Sequence, residues 1–300
     1  MLTPQAIQFI HAALGAEWEE LQDVLVTKTG MTNRSLRFSW KEQEYILRVP
    51  GEGTDRLINR RQEAAVYEAL NGDPISDEVL AIDPESGYKL TRYWKDTHNC
   101  DPKNPSEVQQ CMKLLRKFHQ KGFQVSHKFQ LYDEIAFYET LRNGPSVYPD
   151  YDDVRLRCFA MRTFLRNQKK DLVLSHIDAN PDNFLFVHTL DGEELHLIDW
   201  EYAGMYDPHV DIAMFAIYTG YDRAELDQLI DWYFAGACDT NTRLKIYCYV
   251  ALGGLLWSNW CEYKKALGVD FGGYAMMQYR YASEYSQLFL KLINKSYGGG

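Results

Sequence analysis

Two neighbouring segments in the second half of the chain constrain its fold and chemistry more than any other feature. The first is LSHIDANPDNFLF at 174–186, and the second is LHLIDWEYAG at 195–204. Asn183 follows Asp178 by five residues, and an apolar stretch broken by an Asp-Gly turn then leads to Asp199. Apolar runs joined by Asp-Gly predict a hairpin. The pattern therefore predicts a loop that presents one carboxylate and a hairpin that returns a second carboxylate to the same point.

These side chains are the types that phosphoryl transfer requires. Asp178 is placed to orient a substrate hydroxyl and accept its proton, while Asn183 and Asp199 offer oxygen atoms to the Mg²⁺ that neutralises the phosphates of ATP. Glu201, two residues beyond Asp199, is a candidate ligand of a second Mg²⁺. An HxDx₄N pattern alone arises often by chance or from surface acids. The strand ending in IDWE that follows makes phosphoryl transfer the favoured interpretation.

Two residues near this loop are predicted to be structural. We interpret His176 as a brace rather than an acid or base, because Asp178 is better placed for chemistry. Asp211 begins the apolar helix of DPHVDIAMF. Its carboxylate is predicted to accept hydrogen bonds from backbone N–H groups and to brace the loop at His176.

The first 94 residues have the element order of a kinase N-terminal lobe, with five strands and one helix inserted after the third strand. The predicted strands and helix lie at 21–28, 35–40, 44–49, 56–70 (the helix), 78–82 and 88–94. Beyond residue 95, seven segments are predicted to be helical. The first starts at Asn104-Pro105 and continues through 108–121. The others lie at 131–141, 152–169, 210–218, 223–235, 242–263 and 274–294.

Candidate phosphate-binding residues fall on these early elements. Gly30, Thr32 and Asn33 belong to the turn after the first strand, which permits close backbone approach to phosphates and offers N–H donors. Arg48 on the third strand is placed to meet the phosphates, and Glu63 on the following helix to orient Arg48 by an ion pair. The alternative interpretation is that these residues form an ordinary hairpin turn, a surface Arg and an exposed helix Glu.

Composition bounds the partners and the compartment. The net charge of −10 argues against nucleic acid or an acidic membrane surface as the main partner. Six cysteines without a CxxC pair are typical of reduced thiols in a cytoplasmic protein. Neither a signal peptide nor an apolar stretch long enough for membrane insertion is evident. We expect a soluble, cytoplasmic protein, whose oligomeric state the sequence leaves open.

Aromatic residues make up 14% of the chain, which is high, and two of them suggest a binding role. Trp257 and Trp260 lie three residues apart in LLWSNWCEY, on one helix face. Two Trp rings with nearby Tyr rings can enclose a methylated ammonium, each cation–π contact contributing roughly 0.5–2 kcal/mol. Core filling is the alternative interpretation.

HIDANPDN, LIDWEYAG, TGMTN, ILRVPGEGTDRLINRRQE and WSNW together closely resemble choline kinases of the choline/ethanolamine kinase family, particularly the bacterial type. The HxDx₄N and IDWE pieces are shared with the wider aminoglycoside phosphotransferase group, whereas IDWEY with paired Trp points to choline. The resemblance implies an α/β (α+β) fold of the protein-kinase-like, two-lobed type. The element order and the change of composition past Lys95 divide this fold into a nucleotide-binding lobe at 1–94 and a mostly helical catalytic and substrate-binding lobe at 95–300.

The resemblance also implies an activity, namely Mg²⁺-dependent transfer of the ATP γ-phosphate to the hydroxyl of choline, giving phosphocholine and ADP. It assigns Asp178 to the substrate hydroxyl and Asn180 to the vicinity of the nucleotide. Trp257 and Trp260 would be walls of the choline pocket, with Tyr281 as a further wall.

One position departs from the family pattern. Relatives often carry a carboxylate seven positions after the equivalent of Asp211, and this chain has Tyr218 there, which can join an aromatic cage but lacks a full charge. Ethanolamine, thiamine or another small amino alcohol therefore stays an alternative acceptor. An aminoglycoside is disfavoured because the late helices are aromatic rather than acidic. A catalytically inactive binding module is disfavoured because Asp178, Asn183 and Asp199 are all present.

Overall fold

The computed structural model describes residues 3–29, 33–51, 57–142 and 144–297. Its first elements form a five-stranded antiparallel sheet preceded by one helix and interrupted by another. They are α1 (Pro4–Leu14), β1 (Gln22–Thr29), β2 (Asn33–Trp40), β3 (Gln43–Pro50), α2 (Arg60–Leu70), β4 (Val79–Ile82) and β5 (Lys89–Arg92). The predicted order of five strands with a helix after the third is confirmed. The strand order in the sheet is β1-β2-β3-β5-β4.

The core of this sheet follows from the alternation of apolar residues along the strands. Phe38, Leu47 and Leu90 are fully buried and pack with Ile10 of α1. Successive residues of a strand face opposite sides, so Arg37 between apolar neighbours points away from this core. Leu47 lies opposite Leu90 in the β3–β5 register, which makes β5 rather than β4 the neighbour of β3.

Helix α2 begins later than the sequence predicts. Residues 57–59 are not helical, and the Asn59 side chain accepts a hydrogen bond from the Gln62 N–H at 3.2 Å. This is an N-cap, which satisfies one of the backbone donors that the first turn leaves without a helical partner. The helix ends at Leu70, and Asn71 caps it in the left-handed conformation, with φ of 47°.

The remaining elements are mostly helices, with short strands between them. In chain order they are β6 (Thr97–Asn99), α3 (Pro105–Gln120), α4 (Leu131–Arg142), α5 (Tyr151–Arg166), β7 (Val173–Ser175), β8 (Phe184–Thr189), β9 (Gly192–Leu197), β10 (Gly204–Tyr206), α6 (His209–Thr219), α7 (Arg223–Phe234), α8 (Thr240–Ala266) and α9 (Gly273–Tyr297). Helices α3 to α9 correspond to the predicted helices. The three-residue strands were not predicted, because they are too short to carry a periodic pattern. None of the helices in the described ranges is both long and apolar enough to cross a membrane.

Contacts divide the chain into two compact units. The first comprises residues 1–100, 123–127 and 182–204, and the second comprises 101–122, 128–181 and 205–300. The first unit contains the five-stranded sheet and a second antiparallel sheet of order β6-β8-β9. Helices α3 to α9 lie in the second unit. The lobe boundary at residue 94 stays a prediction.

In the second unit α8 is buried along most of its length and packs closely on α9. Gly254 allows this approach, because a Cβ at that position would lie 2.5 Å from the backbone oxygen of Gln278. The close packing positions the part of α8 that carries Trp257 and Trp260.

Candidate active site

The loop that carries Asp178 is held by Asp211 of α6. The fully buried Asp211 carboxylate accepts hydrogen bonds from the backbone N–H groups of His176 and Ile177, both at 2.8 Å, and lies 2.9 Å from Nε2 of His119. Ile177 has φ of 68°, a left-handed conformation that is unfavourable for a β-branched residue. Asp211 thus makes the backbone contacts that a brace requires, and they stabilise a strained turn immediately before Asp178.

Asp178 accepts one hydrogen bond at its side chain and one at its backbone oxygen. The Tyr218 hydroxyl donates a hydrogen bond to Oδ1 of Asp178. On the loop itself, the backbone N–H of Asn180 donates to the backbone oxygen of Asp178 at 2.8 Å. The carboxylate is therefore oriented by Tyr218 from α6 and by a tight local turn. The assignments of Asp178 to catalysis and Asn180 to the nucleotide stay predictions.

Five aromatic rings in the second unit form a closed set, which we call the aromatic cluster. Each ring contacts the next in the order Tyr218, Trp257, Trp260, Phe271 and Tyr274, and Tyr274 contacts Tyr218 again. The centroid distances are 5.9, 6.2, 5.0, 6.4 and 6.4 Å. The two Trp rings are buried and nearly perpendicular to each other, at 84°, whereas the other three rings are half-buried. The cluster thus presents aromatic faces in different directions and is partly accessible to solvent.

The sequence patterns do not single out Phe271 and Tyr274. They lie at the start of α9 and just before it, three residues apart, shortly after the helix that carries WSNW. This F-x-x-Y spacing is the sequence pattern that could have indicated two further aromatic residues of the site. Burial raises the pKa of Tyr274 well above its usual value, and the charges of Cys261 and Asp178 act in the same direction. Tyr274 is therefore a neutral aromatic ring of the cluster.

Tyr281 has a different environment from that of the aromatic cluster. Its hydroxyl donates to the backbone oxygen of Tyr221 at 2.6 Å, and its ring lies 6.0 Å from that of Tyr285. These contacts suit a packing role, and a place for Tyr281 in the choline pocket stays a prediction.

In the first unit, Arg48 of β3 and Glu63 of α2 form a buried ion pair. The two guanidinium nitrogens each donate to one carboxylate oxygen, with Nη2 at 2.8 Å from Oε2. Burial by itself would lower the pKa of Arg48, but the adjacent Glu63 charge raises it above its ordinary value. The pair therefore stays ionised, and Glu63 holds the Arg48 guanidinium group in one orientation on the sheet. Its role toward phosphates stays a prediction.

Arg60 connects this pair to Glu201 and was also missed. Its Nη1 lies 3.0 Å from Glu63 Oε2 and 3.1 Å from Glu201 Oε2, and its Nη2 donates to Oδ1 of Asn33 at 2.9 Å. Asn33 in turn donates to Glu201 at 2.7 Å. An Arg three residues before Glu63 was the signal, since residues three apart on a helix are neighbours.

Three carboxylates of the first unit could hold a cation. Oxygen atoms of Glu63, Asp199 and Glu201 lie within 4.8 Å of one another. Asp199 Oδ1 is buried and has no hydrogen-bond partner among the described residues, although it lies 3.7 Å from Nη1 of Arg48. Burial raises the pKa of Glu201, and so does the charge of Asp199. Arg48 and Arg60 offset part of this repulsion, and an all-oxygen donor set suits Mg²⁺ as a further compensating cation.

Asn183 is positioned beside the same region of the first unit. Its backbone oxygen accepts a hydrogen bond from the N–H of Ile198, the residue before Asp199, at 2.9 Å. Asp199 itself has φ of 66°. Of the predicted phosphate-binding turn, Asn33 is described, whereas Gly30 and Thr32 lie outside the described residues. Metal binding by Asn183, Asp199 and Glu201 stays a prediction.

The five-stranded sheet with its Arg48–Glu63 pair and the helical second unit with its braced Asp178 loop define the class. It is that of ATP-dependent phosphotransferases of the protein-kinase-like fold that act on an alcohol. The family model described as Choline/ethanolamine kinase matches residues 24–230. The chain belongs to the choline/ethanolamine kinase family.

Individual relatives agree with this membership. The crystal structure of the choline kinase LicA from Streptococcus pneumoniae is 28% identical, covers 94% of this chain and 97% of its own, and superposes with a TM-score of 0.80. A complex of LicA with AMP is 27% identical over the same shares of both chains, with a TM-score of 0.79. Protein LicA of Haemophilus influenzae is 28% identical over 260 residues, 82% of this chain and 75% of that protein.

Proposed function

We propose that the protein transfers the γ-phosphoryl group of ATP to the hydroxyl of choline, giving phosphocholine and ADP. The observation that carries this choice of acceptor is the aromatic cluster, which is joined to Asp178 through the Tyr218 hydroxyl. A cation bound by these rings would have its alcohol arm near the carboxylate. Family membership and the similarity to a choline kinase structure support the same substrate.

The proposed role of Asp178 is to orient the hydroxyl and accept its proton. As the choline oxygen forms its bond to the γ-phosphorus, the bond from that phosphorus to the bridging oxygen of ADP breaks, and the hydroxyl proton passes to Asp178. The transition state needs little covalent help from protein, so orientation and charge supply most of the catalysis. Tyr218 and the Asp211 brace hold the carboxylate in one orientation.

On the nucleotide side, we assign Asn183, Asp199 and Glu201 to Mg²⁺. Their oxygen atoms suit this ion, and the buried Asp199 Oδ1 without a hydrogen bond supports the assignment. When bound, Mg²⁺ neutralises the charge of the phosphate oxygens. Arg48 would add its fork of donors to the phosphates, oriented by Glu63.

Backbone and amide groups complete the proposed nucleotide site. Gly30, Thr32 and Asn33 belong to the turn that would offer N–H donors to the phosphates. Asn180 is proposed to lie near the nucleotide. The reaction is proposed to take place in the cytoplasm, where ATP is available and thiols stay reduced. The six free cysteines support this compartment.

The walls of the aromatic cluster favour choline over ethanolamine. A quaternary ammonium has no N–H group, so aromatic faces can replace its water through cation–π contacts. A primary ammonium carries three N–H donors, and each one left without an acceptor costs about 1–3 kcal/mol. We therefore expect kcat/KM to be highest for choline in an ADP-release assay with choline, ethanolamine, thiamine and an aminoglycoside. Equal values for choline and ethanolamine would contradict the proposal.

Replacing Trp257 tests the cation–π role directly. Trp257→Ala is expected to raise the KM for choline up to about 30-fold with kcat nearly unchanged, because it removes contacts made in both ground and transition states. Steady-state kinetics with choline and ethanolamine measure this effect. Trp232→Ala, in the same unit but outside the aromatic cluster, serves as the matched control. An equal loss with both alcohols would assign Trp257 to packing.

Tyr218→Phe keeps the aromatic ring and removes only the hydroxyl that donates a hydrogen bond to Asp178. We expect kcat to fall about tenfold or more, since hydrogen bonds to charged groups contribute about 1.5–3 kcal/mol. The KM for choline should stay within about twofold, because the aromatic face is retained. The same steady-state assay checks both parameters. A higher KM at unchanged kcat would instead place the hydroxyl against the substrate.

A further inference from the structure

We propose that the first unit binds one Zn²⁺, or another transition-metal dication of the same ligand preference, through His98, His188 and Glu193. None of these residues belongs to the proposed phosphotransfer machinery. The inference rests on the geometry of the β6-β8-β9 sheet and is independent of the proposed function.

The sheet register places the three side chains on one face. His98 of β6 lies opposite Phe186 of β8, and His188, two residues further along β8, lies opposite Glu193 of β9. Residues two apart on a strand, and residues directly opposite on paired strands, share a face. The His98 ring stacks on the buried Phe186 ring, with centroids 5.0 Å apart and planes at 10°. This stacking orients the imidazole.

One distance between donor atoms matches a metal site. Nδ1 of His98 lies 3.2 Å from Nε2 of His188, and one of these nitrogens donates a hydrogen bond to the other, which a bound metal would replace. Two nitrogens bound to a tetrahedral zinc at its usual bond length are about 3.3–3.4 Å apart. One donor atom from each of the three residues lies within 4.8 Å of the other two. The distance between these two nitrogens is therefore close to that between two ligand atoms of a tetrahedral zinc site.

Glu193 supplies the negative charge of the site. Its Oε2 lies 3.5 Å from Nδ1 of His188, the nitrogen on the other side of the ring from the one that faces His98. In the proposed site a carboxylate oxygen of Glu193 is the third ligand. In the metal-free chain the same carboxylate lies beside His188 Nδ1 and favours the tautomer whose Nε2 lone pair is available to the ion.

The donor set selects the class of metal. Two imidazoles with one carboxylate suit Zn²⁺, Cu²⁺ or Ni²⁺, whereas Mg²⁺ prefers oxygen atoms alone. The His188 and Glu193 side chains are 44% and 36% exposed, so water can enter and fill the remaining coordination position. A metal bound here would tie β6 to the β8–β9 hairpin. Binding to the folded state alone raises thermal stability.

The test is titration calorimetry of untagged protein with ZnCl₂, with excess Mg²⁺ present to fill oxygen-only sites. We expect one Zn²⁺ per chain, a higher Tm in zinc, and visible absorption bands of tetrahedral Co²⁺ when cobalt is the probe. His98→Gln and His188→Gln, made separately, should each weaken zinc binding at least tenfold and abolish the cobalt bands. His11→Gln is the matched control, because His11 lies 3.4 Å from Glu17 in a surface pair that has only one imidazole.

Several results would contradict the proposed zinc site. Zinc binding retained in His188→Gln, or lost to the same degree in His11→Gln, would overturn the proposal, as would absence of binding to the unaltered chain. Circular dichroism of each variant establishes that a loss of binding is not a loss of fold. Because the readouts are binding, absorption and Tm, they remain decisive whatever substrate the enzyme uses.

Discussion

Asp178→Ala is expected to lower kcat with choline by roughly 10²–10⁴-fold, the range that a positioned general base contributes. The substitution removes the group that would orient the hydroxyl and receive its proton, together with the acceptor of the Tyr218 hydrogen bond. Nucleotide affinity should change little, because the proposed phosphate and Mg²⁺ ligands are other residues. The measurements are single-turnover ADP formation and fluorescence titration with an ATP analogue.

The matched control is Asp182→Ala, which removes another carboxylate from the same HIDANPDN segment. Asp182 is exposed and has no role in the proposed mechanism. We expect its kcat to stay within about threefold of the unaltered enzyme, as for most substitutions of exposed side chains. Asp178→Ala with the activity of Asp182→Ala would remove Asp178 from the mechanism.

Glu63→Ala is expected to lower the free energy of unfolding by about 3–5 kcal/mol, the cost of removing one partner from a buried ion pair. Glu63 accepts hydrogen bonds from both Arg48 and Arg60, and all three residues are buried. Without it, two guanidinium groups remain in the interior with less compensating charge. Activity should fall as well, since Arg48 loses the carboxylate that fixes its fork.

Urea unfolding followed by circular dichroism measures this loss of stability. The midpoint should shift to lower urea with an unchanged slope, because the slope reports the surface exposed on unfolding. Glu68→Ala is the matched control, since Glu68 is an exposed residue of the same helix. A midpoint for Glu63→Ala equal to that of Glu68→Ala would mean that water screens this cluster of charges.

Local patterns made the secondary structure predictable. Strands such as β2 alternate apolar and polar residues, and the helices of the second half carry long apolar periodicities, so their existence could be predicted from sequence. Arg48 and Glu63 could be paired because a strand and the helix that follows it occupy standard positions in a kinase-like order. The predicted start of α2 is too early because its cap, Asn59, is one of several polar residues in a row.

Contacts between distant segments were not predictable in the same way. Phe271 and Tyr274 join the aromatic cluster only because α9 packs on α8 at a particular rotation, which Gly254 permits. Arg60 bridges to Glu201 across 141 positions of sequence. The β3–β5 pairing depends on how the chain returns after α2. Each of these features depends on tertiary packing, which leaves no local pattern in a single sequence.

Tyr218 has a consequence for how this enzyme could evolve. The same residue forms part of the wall around the proposed cationic group and holds the carboxylate proposed to take up the proton. A change to Glu that attracted a primary amine would also place a second negative charge against Asp178, and neighbouring carboxylates raise each other's pKa. A new acceptor and an altered pH optimum would therefore arise from one and the same substitution.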